Sequence, residues 1–141
     1  MEELTIIRNI GILSRTFISS LSKAMSAIDL SFSESIFLIN IGENEGVNQD
    51  TIAGNLAIDK AAVARSVKSL EQKNYLLVKK LETDKRSKRL YLTAEGQIIY
   101  QQVLELHLSW AKQVLSPLTN REIHDFSQMI DLLGGQAKQA L

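Results

Sequence analysis

The stretch from Asn48 to Thr93 most narrowly restricts what this chain can fold into. It holds two short helical patterns joined by a tight turn, then two strand-like runs joined by a loop dense in charge. Asn48 suits a helix N-cap, because its side-chain oxygen can accept from a backbone N–H that has no partner within the helix. Ile52 and Leu56, flanked by Ala53, fall on one helical face. Ala57-Ile58 makes the turn. Asp59 can cap the next helix, whose positive N-terminal end also favours a carboxylate. Val63, Val67 and Leu70 then recur at spacings of four and three, the core-facing stripe of an amphipathic helix. Lys60, Arg65 and Lys68 occupy the other face. Asn74 ends this helix, since asparagine tolerates the left-handed conformation found at helix C-termini. Tyr75 to Leu81 and Leu90 to Leu92 are rich in strand formers, and the segment between them is too polar to be buried. This order predicts a helix-turn-helix followed by a hairpin wing.

Charge follows the same boundaries. From Lys60 to Arg89 there are ten basic residues against three acidic ones, a net +7, while the whole chain is neutral with 16 of each sign. A neutral protein with its positive charge gathered into one segment carries an electrostatic footprint for a polyanion.

The segment resembles the winged helix-turn-helix of the multiple-antibiotic-resistance regulator (MarR) family. Asp84-Lys85-Arg86 followed by Leu92-Thr93 fits that family's wing signature. Asn55-Leu56-Ala57-Ile58-Asp59-Lys60, leading to Val63, Arg65 and Leu70, is similar to its recognition-helix region. Two departures stand out. Ala62 and Ala64 occupy places where many members carry Thr, which removes hydroxyl contacts to DNA. Asn74 stands where Gly is usual.

Both ends of the chain read as helix. Ile6, Ile10, Leu13, Phe17, Leu21, Met25 and Ile28 predict one long amphipathic helix over 3–28. Ser31 and Glu34 have the spacing of a capping box for a short buried helix ending near Gly42. Thr93 is placed to cap another long helix lined by Ile99, Val103, Leu106, Trp110 and Val114. Pro117 ends it, and Thr119 with Glu122 opens a last helix to about Gly134. The apolar stripes of the first and last helices exceed what a monomer of this size can cover. The resemblance implies one domain over 1–141, mainly α with an α+β winged helix. Residues 30–93 would form the DNA-binding lobe, and 1–29 with 94–141 a helical lobe intertwined with a second copy in a homodimer.

Other function classes find little support. With no cysteine there are no disulfides, thiolate metal sites or thiol sensors, which fits a cytoplasmic protein. Glu2 and Glu3 replace the basic start of a secretory signal, and no apolar run approaches the roughly 20 residues of a membrane span. No Gly-rich phosphate loop and no catalytic constellation are present. His107 and His124 are followed four residues later by Ala111 and Gln128, so neither has a metal partner at helical spacing. Neither an enzyme nor a cofactor is expected.

Double-stranded DNA is the expected partner. The N-terminal half of the recognition helix would enter the major groove with Lys60, Ala61, Ala62, Ala64 and Arg65, and Lys68 lies further along the same basic face. Arg65 suits either bidentate guanine readout or a phosphate contact. Arg86 at the wing tip would reach the minor groove, with Asp84 pinning it. Lys85 and Lys88 would meet phosphates, and Thr51 begins a helix whose free N–H groups suit one. Two-fold symmetry would then set a pseudo-palindromic operator, with repression as the default. The resemblance also implies an effector crevice for a small aromatic or anionic ligand, for which Arg15, Phe17, Tyr91, His107 and Trp110 are the candidates. The second reading is an interaction protein, such as an anti-repressor, that keeps the fold without binding DNA.

Overall fold

A computed structural model of the chain describes residues 1–83 and 88–141. The order is α1 (Glu2–Met25), a single 3-10 turn (Ser26–Ile28), α2 (Phe32–Glu43), β1 (Val47–Asn48), α3 (Gln49–Leu56), α4 (Lys60–Gln72), β2 (Leu76–Lys80), β3 (Lys88–Leu92), α5 (Ala94–Leu115) and α6 (Asn120–Gln139). The winged helix-turn-helix architecture is therefore the one expected. Met1–His107 and Leu108–Leu141 form separate compact units.

The helix boundaries follow their capping residues. Ser31 Oγ accepts from Glu34 N at 3.1 Å while Glu34 Oε1 accepts from Ser31 N at 3.0 Å, the reciprocal bonds of a capping box. Asn48 Oδ1 accepts from Thr51 N at 2.8 Å, and Asp59 Oδ2 from Ala62 N at 3.2 Å. Among the described residues three non-glycines take the left-handed conformation, each at a helix end: Asp29 (φ 53°), Ala57 (φ 52°) and Asn74 (φ 65°). Asp29 is why the first α-helix stops early. It ends at Met25 and tightens into the 3-10 turn before the chain reverses, so the single helix expected over 3–28 is shorter.

The three strands run antiparallel in the order β1-β3-β2. In the hairpin, Leu76 faces Leu92 and Val78 faces Leu90, while Leu77 faces Tyr91 and Lys79 faces Arg89. Strand side chains alternate, so Leu76, Val78 and Leu90 share the inner face. β1 adds Val47 opposite Leu90. The turn before it needs Gly46, whose φ of 91° is closed to most side chains. Both hairpin strands differ from their expected limits. One strand runs past its apolar residues to Lys88, because cross-strand pairing does not depend on side-chain type, and the other ends at its partner Lys80, short of Leu81.

The core of the first unit draws on α1 to α5 and on β2 and β3. Phe37, Leu38 and Ile41 of α2, Ile52 of α3, Val63, Val67 and Leu70 of α4, Leu76 of β2 and Leu90 of β3 are all buried. Leu21 and Met25 of α1 and Ile99 and Val103 of α5 complete it. The stripe Val63, Val67 and Leu70 thus packs as its spacing requires. Earlier along α1, Ile6 is 52% exposed and Ile10 and Leu13 are each 39% exposed. α6, in the second unit, buries no side chain.

α6 also runs further than expected, to Gln139 rather than about Gly134. Gly134 and Gly135 each cost the helix about 1 kcal/mol relative to Ala. The good helix formers Gln136, Ala137, Lys138 and Gln139 carry it past them. Among the described residues no single helix is long and apolar enough to cross a membrane.

Candidate nucleic-acid interface

The helix-turn-helix presents its basic side to solvent because its apolar side is consumed by the core. With Val63, Val67 and Leu70 inward, Ala61, Ala64, Arg65 and Lys68 are exposed and Ala62 is half-buried. Lys60 is exposed and lies 3.6 Å from Asp50, also exposed. A pair so solvated holds neither side chain strongly, and Lys60 is free to swing to another anion. Thr51 is exposed on the first turn of α3. Asp84, Lys85 and Arg86, which carry the wing-tip expectations, lie outside the described residues.

Between α4 and the sheet runs a groove of about 450 Å³, bordered by Gln49, Ala64, Lys68, Glu71, Lys80 and Lys88. Two successive cross-strand pairs at its wing side are cationic on both partners: Lys79 opposite Arg89 and Lys80 opposite Lys88. Like charges facing each other across strands are destabilising. The outer pair is partly relieved. Lys79 Nζ sits 5.0 Å from the centre of the Tyr91 ring, and Arg89 Nη1 donates to Gly46 O at 3.1 Å. Lys80 and Lys88 open onto the groove beside Lys68, where an anion would relieve them. Lys80 was missed by sequence reasoning, and the register of the hairpin is what reveals it.

The far end of α4 is held by Glu34. This buried carboxylate accepts from Ser69 Oγ at 3.1 Å and forms an ion pair with Lys73 Nζ at 3.1 Å. Lys73 also donates to Asp29 O at 2.7 Å. Burial alone would raise the Glu34 pKa, but the bonds from Ser31 and the Lys73 charge outweigh it and hold the carboxyl below its ordinary value. One residue therefore caps α2 and anchors the recognition helix. Its capping role is legible from Ser31-to-Glu34 spacing; its bonds to Ser69 and Lys73, more than thirty residues away, are not.

A second feature opens on the surface of the first unit. A cavity of about 270 Å³ is lined by Phe17, Ile36, Ile39, Asn40, Glu43, Leu56 and His107. The His107 ring meets Phe17 edge-on at 5.1 Å and stacks on Phe32 at 6.5 Å between centroids. Ser35 Oγ donates to Phe32 O at 2.6 Å, which leaves it to accept from His107 Nε2 at 3.3 Å. Burial lowers the His107 pKa, so the ring is neutral at neutral pH. Asn40 Oδ1 is buried without a hydrogen-bond partner, a condition that costs about 1–3 kcal/mol.

Of the five effector candidates, the structure brings Phe17 and His107 together. Tyr91 is in the sheet, against Gly46 and beneath Lys79. Arg15 is exposed and folds back over Gly11. Trp110 is half-buried and belongs to the second unit. Ile36, Ile39, Asn40 and Glu43 were missed. Their spacing of three, four and seven marks one face of α2, but that face reads as ordinary core until the cavity is seen.

The helix-turn-helix, its basic outward face and the adjoining hairpin together define a winged helix-turn-helix transcriptional regulator. The MarR family model matches residues 31–88. The transcriptional regulator BilQ of Clostridium symbiosum is 32% identical over 98 residues, covering 70% of this chain and 68% of that one. YybA of Bacillus subtilis strain 168, also described as a helix-turn-helix regulator, is 26% identical over 125 residues, 89% of this chain and 83% of its own. In fold, a MarR-family protein of Listeria monocytogenes crystallised with a 26-mer DNA superposes with a TM-score of 0.91 at 24% identity, over 95% of this chain and 89% of that one. This chain belongs to the MarR family of transcriptional regulators. The family consists of regulators and not enzymes, as the sequence led us to expect.

Proposed function

We propose that the protein is a homodimeric, sequence-specific double-stranded DNA-binding regulator that represses from pseudo-palindromic operators and is relieved by a small effector. The observation that carries the reading is the division of α4 into a buried apolar face and an exposed face bearing Lys60, Arg65 and Lys68. A helix of about 10–12 Å diameter fits the major groove of B-DNA. Lys60, Ala61, Ala62, Ala64 and Arg65 would line it, with Lys60 and Arg65 the two long donors among them and Arg65 the one able to donate as a planar fork. Lys68 and Lys88, joined by Lys80, would take backbone phosphates beside the groove, and Thr51 one at the start of α3. Asp84, Lys85 and Arg86 keep the wing roles that the family signature assigns.

Dimerisation is supported by the apolar side chains that the chain leaves in solvent. Ile6, Ile7, Met129 and Leu132 are each more than half exposed, and such surfaces mark association sites. Residues 1–29 and 94–141 would form the dimer lobe and 30–93 the DNA lobe. Two recognition helices related by a two-fold axis then address half-sites about one helical turn apart. A cytoplasmic location follows from this role. Effector relief draws on the cavity at Phe17 and His107.

Fluorescence anisotropy with DNA fragments surrounding the protein's own gene, at two salt concentrations, tests the reading. Tight, salt-sensitive binding to one fragment that Arg65→Ala weakens is expected. Equal, weak binding to every fragment would favour the interaction-protein alternative. Light scattering at micromolar concentration should return a dimer mass; a monomer would overturn the symmetric operator model.

A further inference from the structure

Lys73 belongs to the basic segment by sequence but not by position. Its ammonium group has three N–H donors. Three acceptors are within reach: Asp29 O at 2.7 Å, Glu34 Oε1 at 3.2 Å and Glu34 Oε2 at 3.1 Å. Glu34 is equally occupied, since Oε1 also accepts from Ser31 N and Oε2 from Ser69 Oγ. Lys73 is therefore committed inward, with no donor to spare for a phosphate. The carboxylate it meets is 6% exposed. Stability alone does not call for a charge pair so placed, because well-packed apolar residues often serve as well. What a set of directional bonds adds is a defined setting. Ser69 and Lys73 lie on the half-buried edge of the recognition helix that begins at Ala62 and runs through Ser66, at spacings of four, three and four. The stripe Val63, Val67 and Leu70 holds α4 down on the core, but apolar burial is non-directional and leaves the rotation of the helix loosely set. A rotation of about 10° would carry an atom about 5–6 Å from the helix axis through about 1 Å. Hydrogen-bond lengths vary by only about 0.5 Å, so a slip of that size loses a base contact.

We propose that Glu34 and Lys73 are positioning residues for sequence readout. They pin the C-terminal end of α4 to the start of α2 and to the elbow between α1 and α2 at Asp29, and so set the rotation at which Ala62 and Arg65 meet the bases. Neither residue touches DNA. The inference rests on the DNA-binding part of the proposed function and adds to it the groups that fix discrimination between sequences.

The test compares two DNA probes by anisotropy: the fragment surrounding the protein's own gene that the wild type binds most tightly, and a shuffled fragment of the same length and base composition. The full chain is used at a temperature where circular dichroism shows each variant folded. Lys73→Met and Glu34→Gln should each lower the ratio of the two affinities on the order of tenfold, which is about what one bidentate base contact discriminates. Affinity for the shuffled fragment and its salt slope should stay as in the wild type. The double variant should lose no more of the ratio than Lys73→Met alone, because the two residues act as one unit. Ser69→Ala, which keeps a good helix former and removes one bond to Glu34, should lower the ratio a few-fold. Val103→Ala, which removes buried core from α5, is the control for plain destabilisation and should keep the ratio. An unchanged ratio in Lys73→Met would overturn the proposal and leave the pair a merely stabilising role. Equal losses on both fragments, with the salt slope reduced by about 0.9, would overturn it by making Lys73 a phosphate contact. A ratio lost equally in Val103→Ala would overturn it as well. In each of those results the wild type still prefers its own fragment; a wild type that binds both probes alike would instead overturn the regulator reading and this proposal together.

Discussion

Gly96 marks a place where the fold tolerates no side chain, and its replacement gives a stability prediction with a worked size. It lies buried in the first turn of α5, against the corner where α4 passes into β2. A Cβ there would fall far inside contact distance of Tyr75 O, with the Tyr75 carbonyl carbon at 3.0 Å and Thr93 Oγ1 at 3.2 Å. The obstacle is backbone, and it is held in place. Thr93 N donates to Tyr75 O at 3.1 Å, Thr93 Oγ1 donates to Asn74 O at 2.7 Å, and Gly96 N donates back to Thr93 Oγ1 at 2.9 Å. Overpacking a site of this kind costs about 1–3 kcal/mol. Losing one of the three bonds adds about 1 kcal/mol, and the helix recovers about 0.5–1 kcal/mol when glycine becomes alanine. Gly96→Ala should therefore destabilise by about 2 kcal/mol. Gly54 in α3, where a Cβ would meet nothing within 4 Å, is the internal control, and Gly54→Ala should be neutral or gain up to about 1 kcal/mol. Urea unfolding followed by circular dichroism, at one fixed protomer concentration, measures both. If Gly96→Ala proves as stable as the wild type while Gly54→Ala behaves as expected, the corner is softer than its bonds imply and the reasoning fails.

Three further outcomes follow from the same geometry. Lys80→Thr should raise the stability of the free protein by a few tenths of a kcal/mol, through loss of the like-charge pair with Lys88. It should also weaken DNA binding and reduce the salt slope by about 0.9; an unchanged slope would remove Lys80 from the interface. His107, held neutral by burial with its pKa depressed, contributes stability that is complete above its ordinary value and is lost as pH falls toward its folded one. The urea midpoint should therefore drop between pH 7.5 and 5.5 more in the wild type than in His107→Gln, and parallel drops would refute the assignment. Glu34, whose pKa is also depressed, contributes stability present above the ordinary carboxylate range and lost as pH falls through its folded value. Glu34→Gln should therefore be less stable at neutral pH, and the gap should close in acid.

The parts of this molecule legible from its sequence are those governed by neighbours along the chain. Caps at Ser31, Asn48, Asp59 and Thr119, the αL position at Asn74 and the Val63-Val67-Leu70 stripe each depend on residues within about one helical turn. The family signature likewise spans one contiguous window. What escaped depends on distant partners. The cationic face-off of Lys80 with Lys88 exists only once the hairpin register is fixed. The tie from Glu34 to Lys73 joins two helices separated by the whole of α3. The Ile36, Ile39, Asn40 and Glu43 face reads as packing because nothing local says that the space in front of it is empty. Of the five effector candidates chosen as aromatic or basic residues, Tyr91 shows the limit of that approach, since residue type alone does not say on which side of a sheet a ring lies.

The distribution of burial bears on how the protein holds together. The buried side chains run from Leu21 to Val103, and all lie in the first unit. α1 contributes only Leu21 and Met25 from its C-terminal end; α6 contributes none. Twenty residues of amphipathic helix with no buried side chain are marginal on their own, because helices in proteins owe their stability chiefly to packing of the apolar face. The capping box at Thr119 and Glu122 sets where α6 starts but supplies too little to hold it. The apolar faces of α1 and α6 must therefore be covered for these helices to persist, and a second copy of the chain supplies two such faces at once. In the dimer proposed above, the winged lobe would have its own core while the ends of the chain would borrow theirs. Truncation of α6 after Pro117 should then abolish the dimer and, with it, tight binding to a two-half-site operator, while the circular dichroism of the residual chain keeps the signature of the winged lobe. A truncated protein that still sediments as a dimer would place the interface elsewhere.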